Sequence, residues 1–157
     1  MLEVEHILQN MEIPYRLIEL TDRAMTVQDV ARFSQGDFKL EEICKTVIMK
    51  DDRGGRFAFF LVGTDRVDFL KAKRHAGRKL TVASPTDVRE VTGVDPGAVC
   101  PLLLRIPLTV DRHVLMLERV NFGSGHHLYG IEMKTEDFLR AVDPTVDEIA
   151  EPVTKNY

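Results

Sequence analysis

From residue 43 to 63 the chain reads ICKTVIMKDDRGGRFAFFLVG, two runs rich in β-branched and aromatic residues separated by a polar, glycine-containing turn. The pattern predicts strands over residues 43–49 and 56–62, joined as a hairpin through Asp51-Asp52-Arg53-Gly54-Gly55. Side chains alternate along a strand, so Lys45 shares a face with Ile43, Val47 and Met49, while Cys44, Thr46 and Ile48 share the other. A lysine in such apolar company either lays its stem along apolar surface with the ammonium in water or is placed there for chemistry.

The rest of the chain alternates helical and strand periods. Leu2, Val4, Ile7, Leu8 and Met11 recur at helical spacing before Pro14, and residues 15–20 read as a strand. Thr26 is placed to cap a helix whose apolar face is Val27, Val30, Ala31 and Phe33, with Gly36 ending it. Residues 67–76 predict a helix closed by Gly77, residues 80–83 a short strand, and Ser84-Pro85 the start of a helix that Gly93 terminates. A loop, Gly93 to Pro101, carries two glycines that permit close backbone approach and two prolines that stiffen it.

Beyond the loop, residues 102–106 read as a buried strand and residues 107–117 as an extended piece followed by one helical turn. Residues 118–122 and 128–133 predict two further strands joined by Gly123-Ser124-Gly125-His126-His127. Thr135 is expected to cap a last helix, with Glu136 and Asp137 at its positive end and Asp143-Pro144 stopping it. The tail to Tyr157 is polar and expected to pack loosely. Helices interleave with strands that pair as hairpins, which predicts an α+β fold with a mixed sheet flanked by helices. With no repeat or linker, residues 1–157 read as a single domain.

Composition narrows the function classes. At 44 % apolar and 29 % charged residues the chain has the ordinary soluble mix, and no apolar run approaches the ~20 residues of a membrane span. The cytoplasm is the expected location, and no membrane partner is expected. Cys44 and Cys100, the only two cysteines, lack the spacing of a disulfide framework or a zinc site. His113, His126 and His127 lack the acidic or cysteine company of a metal centre, so neither metal nor cofactor is expected. A net charge of −4 argues against a protein that coats nucleic acid through overall charge, and no DNA partner is expected. Residues 66–79 nevertheless hold six Lys or Arg (Arg66, Lys71, Lys73, Arg74, Arg78, Lys79) against the single Asp68. Such a stripe is either a phosphate-binding footprint or a solvated helix face.

Taken in order, Cys44-Lys45-Thr46 on the first hairpin strand, the basic helix, the Gly97-Ala98-Val99-Cys100-Pro101 loop, the Gly123-Ser124-Gly125 turn and the Thr135-Glu136-Asp137-Phe138-Leu139 helix resemble the YbaK family. That family includes the editing domain of bacterial prolyl-tRNA synthetase and its free-standing relatives. The resemblance covers essentially the whole chain and implies a strongly curved central sheet. It also implies a trans-acting deacylase that hydrolyses the ester of mischarged tRNA, an alanyl or cysteinyl acceptor of the proline type. Its partners would be the aminoacylated 3′ end of tRNA and an aminoacyl-tRNA synthetase.

By match of motif, Lys45 would be the family's essential lysine and Gly97 to Pro101, with Cys100, its substrate-cradling loop; the glycine brings the backbone amides of Gly97, Ala98 and Val99 close enough to serve as donors to the substrate carbonyl. Binding discriminates small apolar side chains by only ~1–3 kcal/mol per methylene, so a second sieve has to be a small pocket. Ile43, Val47, Phe60 and Val99 are the expected walls, with Thr46 and the Gly123, Ser124, Gly125, His126 and His127 turn beside the substrate. Either histidine contacts substrate or faces solvent. Lys71, Lys73 and Arg74 are the residues expected to meet tRNA phosphates. This chain has Leu102-Leu103 where many relatives follow the loop proline with Phe-Gly, which bears on amino-acid specificity. Two alternatives stand beside this reading: a non-catalytic module that captures tRNA ends or a synthetase, and a cysteine hydrolase using Cys100 with His126 or His127.

Overall fold

The computed structural model describes residues 1–153. Helix α1 (Glu3–Asn10) buries Val4 and Leu8, one turn apart, on one face. Strand β1 (Arg16–Glu19) leads to α2 (Val27–Phe33), where Thr26 Oγ1 accepts the Asp29 N–H at 3.1 Å as the capping pattern predicts. None of the α2 side chains is fully buried; the apolar face points into a cavity described below. The hairpin forms as read, with β2 (Cys44–Lys50) antiparallel to β3 (Arg56–Val62) and Lys45 opposite Leu61. Asp51 Oδ1 shapes its turn by accepting the N–H groups of Arg53 (2.9 Å) and Gly55 (2.7 Å).

The helix expected from residue 67 begins later. Val67 instead ends strand β4 (Asp65–Val67), and α3 (Phe69–Ala76) starts after Asp68, whose carboxylate accepts the N–H groups of Leu70 and Lys71 at 3.0 and 3.1 Å. Next come β5 (Thr81–Val82) and α4 (Pro85–Thr92), capped by Ser84 and closed by Gly93 at a φ of 79°. The predicted strand over residues 102–106 does not form. Pro101 has no N–H to give a sheet and opens a 3₁₀ turn (Pro101–Leu103) instead, so the strand waits until β6 (Leu108–Asp111). A 3₁₀ turn (Arg112–Met116) follows β6, matching the extended piece and helical turn expected there.

Strands β7 (Arg119–Gly123) and β8 (Tyr129–Lys134) pair antiparallel, as predicted. Thr135 is not the cap of α5 (Thr135–Val142) but its first residue, and its Oγ1 is buried without a partner. The tail up to residue 153 is not loose either: β9 (Thr145–Asp147) and β10 (Ala150–Pro152) form, and Ile149 between them is fully buried. The last four residues of the predicted tail lie outside the described residues.

The strands divide among three sheets: β5-β2-β3-β6-β9, β1-β8-β7 and β10-β4. The five-stranded sheet is mixed, because β6 and β9 add to β3 in parallel while β2 and β5 run antiparallel. The α+β architecture is therefore as predicted, but the strongly curved central sheet is not. A sheet curls shut when its edges pair, and here β5 and β9 remain at opposite ends of a linear order. Strands β7 and β8 pair with each other, and β8 with β1, in a separate three-stranded sheet.

Apolar clusters cover both faces of the five-stranded sheet. Phe60, Phe122 and Phe138 meet on one side with α1, their ring centroids 4.5 Å (Phe60–Phe138) and 5.1 Å (Phe122–Phe138) apart. Met49, Phe59 and Leu61 pack with Ala72 of α3 and Ile149 on the other. A third cluster joins Ile48 and Ala58 to Val88 of α4 and Val99 of the glycine loop.

Candidate functional site

Strand β2 is unusual in being paired along only part of its outer edge. It meets β5 at Met49 and Lys50 alone, and a single parallel bridge joins Ile43 to Asn121. Beside the stretch between those pairings lies a cavity of about 400 Å³, the size class of small-ligand sites. Its walls come from β2 (Ile43 to Ile48), from Val27 and Val30 of α2, from Pro96, Gly97 and Val99, and from the ends of β7 and β8.

Lys45 lines this cavity together with Gly97 and Val99. Alternation sends Lys45 to the face of Leu61 and Met49 and sends Thr46 and Ile48 to the face on which Val99 packs. The cavity lies along the open edge of the strand, so residues of both faces reach it. Burial pulls the Lys45 amine below the ordinary lysine pKa, and the Asp65 carboxylate works in the opposite direction. A half-buried ammonium of this kind is a compact, strongly hydrated charge.

The glycine loop is held from three sides. A Cβ on Gly97 would lie 2.3 Å from the Ala24 carbonyl oxygen and 2.6 Å from Met25 Cα, so glycine is what lets the 24–25 backbone close over the loop. A Cβ on Gly123 would lie 2.6 Å from the Val99 carbonyl oxygen, and the Gly125 N–H donates to the Ala98 carbonyl at 2.8 Å. The Ala98 N–H donates to the Asp95 carbonyl at 2.9 Å. That amide is therefore spoken for within the protein, whereas Gly97 and Val99 are at the cavity wall.

Ile43, Thr46, Val47, Gly123, His126 and His127 also line the cavity. His126 Nδ1 accepts the Leu128 N–H at 3.1 Å, which leaves its proton on Nε2. His127 Nε2 lies 3.8 Å from Asp95, a carboxylate already paired with Arg23 and, at 3.1 Å, with Arg89. Burial, with the charges of Arg23 and His126, pulls the His127 pKa below the usual histidine value.

Other expected site residues are elsewhere. Phe60, expected as a wall, is fully enclosed in the aromatic cluster. Ala98 is buried, Pro101 lines a separate cavity of about 240 Å³ beside Val142, and Ser124 is committed to its own turn, donating to the Tyr129 carbonyl at 2.6 Å. Cys100 is buried in the core with its thiol pushed up to about 12 by burial, and it makes no hydrogen bond to His126 or His127. None of the α3 side chains lines the cavity. The basic stripe is also partly neutralised: Arg66 pairs with Glu151 (2.6 Å), Arg78 with Asp51 (3.0 Å) and Lys71 with Glu148 (4.0 Å), while Lys73 and Arg74 are exposed.

Two contributions escaped the sequence reading. Val27 and Val30 form a wall, and the signal was the apolar face of a helix none of whose side chains is fully buried. Asn121 lines the cavity at 2 % exposure, an asparagine inside a run with strand character, where its type is disfavoured.

Comparison with known proteins places this architecture. Residues 21–141 match the sequence profile described as the aminoacyl-tRNA editing domain. The fold is that of the hypothetical protein APE2540, at a TM-score of 0.83 and 29 % identity over 94 % of this chain and 99 % of that one. It is also that of a candidate trans-editing enzyme for prolyl tRNA synthetase (TM-score 0.79, 24 % identity, 94 % of each chain). A candidate signal transduction protein from Marinobacter aquaeolei VT8 contains it within 30 % of its length (TM-score 0.70, 21 % identity, 94 % of this chain).

Proposed function

This chain belongs to the aminoacyl-tRNA editing domain family, and we propose that it is a deacylase that hydrolyses the ester between a wrong amino acid and the 3′-terminal adenosine of tRNA. The observation that carries the reading is that Lys45 and the Gly97 and Val99 stretch, far apart in sequence, line one cavity. An aminoacyl ester is already activated, so the site has to hold it, admit water and stabilise the oxyanion that develops on the carbonyl. The Lys45 ammonium and the amides of Gly97 and Val99 are suited to that charge. Water adds to the carbonyl carbon; the tetrahedral species then expels the ribose oxygen, which takes up the proton that the water gives up. The neighbouring ribose hydroxyl of the substrate relays that proton, which accounts for a site without a carboxylate base.

Discrimination follows from size. Ile43, Val47 and Val99 leave room for a small side chain, of the alanyl or cysteinyl kind on a proline-type tRNA. Exposed Lys73 and Arg74 on α3 are suited to the acceptor-stem phosphates, and a synthetase is the natural source of the mischarged substrate. The test is incubation of the protein with a panel of mischarged tRNAs, scored both for release of the amino acid and for retention of tRNA on a filter. Deacylation of at least one small mischarged acceptor, and not of the cognate, is the expected result. Filter retention without hydrolysis of any member would replace the deacylase with a binding module.

A further inference from the structure

The loop that brings Gly97 and Val99 to the cavity opens with Asp95, whose side chain is only 12 % exposed. Its two carboxylate oxygens are divided between different parts of the chain. Oδ1 accepts from Arg89 Nη1 of α4 at 3.1 Å, whereas Oδ2 pairs with Arg23 Nη2 from the segment between β1 and α2. His127 Nε2, from the turn between β7 and β8, lies 3.8 Å from that second oxygen. The Asp95 carbonyl meanwhile accepts the Ala98 N–H at 2.9 Å, which ties the residue to the loop within one turn.

The N–H groups of Thr21, Arg23 and Met25 donate to Phe33, Asp22 and Asp29, all inside the 21–33 stretch, so these bonds fold that stretch on itself without fastening it to the loop. Among the described residues, the polar tie between the two is the Arg23–Asp95 pair. Directly after Arg23 comes Ala24, 2 % exposed, whose carbonyl oxygen, with Met25 Cα, crowds the place a Gly97 side chain would take. The pair thus draws the 24–25 backbone onto Gly97 from one residue away, while Arg89 holds the other carboxylate oxygen. Ion pairs whose arginines are about half exposed add little to stability, so what this one contributes is geometry.

We infer that Asp95 is a positioning residue: by holding Arg23 on one oxygen and Arg89 on the other, it fixes the 24–25 backbone against the loop and so sets where the Gly97 and Val99 amides stand. Asp95 does not line the cavity, so it acts through the loop and not on the substrate. Its effect on rate rests on the deacylase reading, in which those amides stabilise the oxyanion. Its effect on the loop does not.

The test compares Asp95→Asn, which keeps the shape and removes the charge, with Arg23→Gln and with the double variant. Hydrogen exchange followed by NMR reads the Ala98 and Gly125 amides, which donate to the Asp95 and Ala98 carbonyls, against the Ala72 amide of α3, which donates to the Asp68 carbonyl. Both single variants are expected to speed exchange at Ala98 and Gly125 by about tenfold or more, and at Ala72 by less than about threefold. Their single-turnover rates on saturating mischarged tRNA are expected to fall by about tenfold or more, with the half-saturating concentration changed by less than about threefold. The double variant should be no slower than the slower single one, since both act through one contact. If Asp95→Asn does not fold, Arg23→Gln, at a side chain 49 % exposed, decides. Exchange unchanged at Ala98 and Gly125, exchange raised equally at Ala72, or a wild-type rate despite faster exchange would overturn the inference and leave the deacylase standing. A wild-type protein that hydrolyses no mischarged tRNA would overturn the deacylase reading, and the exchange rates alone would then decide whether Asp95 holds the loop.

Discussion

Gly97→Ala is a small chemical change with a large geometric consequence. The added methyl would lie 2.3 Å from the Ala24 carbonyl oxygen, 2.6 Å from Met25 Cα and 2.9 Å from the Met25 carbonyl carbon. These are backbone atoms, so no rotamer relieves the clash. Restoring ordinary van der Waals contact at 3.4 Å requires the loop and the 24–25 segment to separate by about 1.1 Å. Overpacking of this kind costs about 1–3 kcal/mol, which in a chain of this length lowers Tm by roughly 2–12 °C. The same shift moves the Gly97 and Val99 amides away from the ester, and a misplacement of about 1 Å costs about 100-fold in rate. Gly77→Ala is the control, because a Cβ there meets nothing within 4 Å and the site is remote, so strain at a φ of 75° lowers Tm alone. Thermal unfolding and single-turnover deacylation of a mischarged tRNA are measured on both variants. A Gly97→Ala protein that hydrolyses at the wild-type rate would refute the argument that this close approach sets the position of the loop amides.

Three other outcomes are expected. Cys100→Ala keeps most of the deacylation rate, since the thiol is buried and held protonated; loss of activity in a folded variant would restore the cysteine hydrolase. Neutralising Lys73 and Arg74 together weakens tRNA retention and reduces its salt dependence, whereas an unchanged salt slope returns α3 to a solvated face. Burial pushes the Glu132 carboxylate up, but hydrogen bonds and charge from Arg119 and Arg16 outweigh it and hold the folded pKa below the ordinary value. The stabilisation is therefore full above about pH 4.3 and is lost as pH falls through the lower folded value, so urea midpoints should fall in that window. Glu132→Gln should lower stability at pH 7 by about 1–3 kcal/mol and flatten that acid limb.

What the sequence made legible follows from which interactions are local. The central hairpin, the Thr26 and Ser84 caps and the Gly77 and Gly93 terminators depend on residues within a few positions of one another, and they form as read. The misreadings involve partners distant in the chain. Val67 goes into a strand because β10 pairs with it from 83 residues away, and Thr145–Asp147 goes into one because β6 offers it an edge. Leu102 and Leu103 are apolar enough for a strand, but Pro101 turns them into a 3₁₀ segment packed on the core.

The site divides in the same way. Lys45 stands out because a strand rarely carries a lysine among such neighbours, and the glycine loop because its spacing is distinctive. Phe60 and Thr46 are adjacent across the hairpin, yet only Thr46 reaches the cavity, because the unpaired edge belongs to β2 and Phe60 sits inward on β3. Gly97 lines the cavity, and its missing side chain is also what makes room for the Ala24–Met25 backbone. Asn121 could have been suspected from its type alone, but its burial beside the cavity exists only in the folded chain.

The account rests on one ammonium and one run of loop amides gripping the same ester. Its most direct test is single-turnover deacylation of a saturating, small mischarged tRNA by the wild-type protein and by Lys45→Ala, with tRNA retention measured in parallel. The account predicts a fall of at least 100-fold in the hydrolysis rate with retention changed by less than threefold. A Lys45→Ala protein that releases the amino acid at the wild-type rate would contradict it.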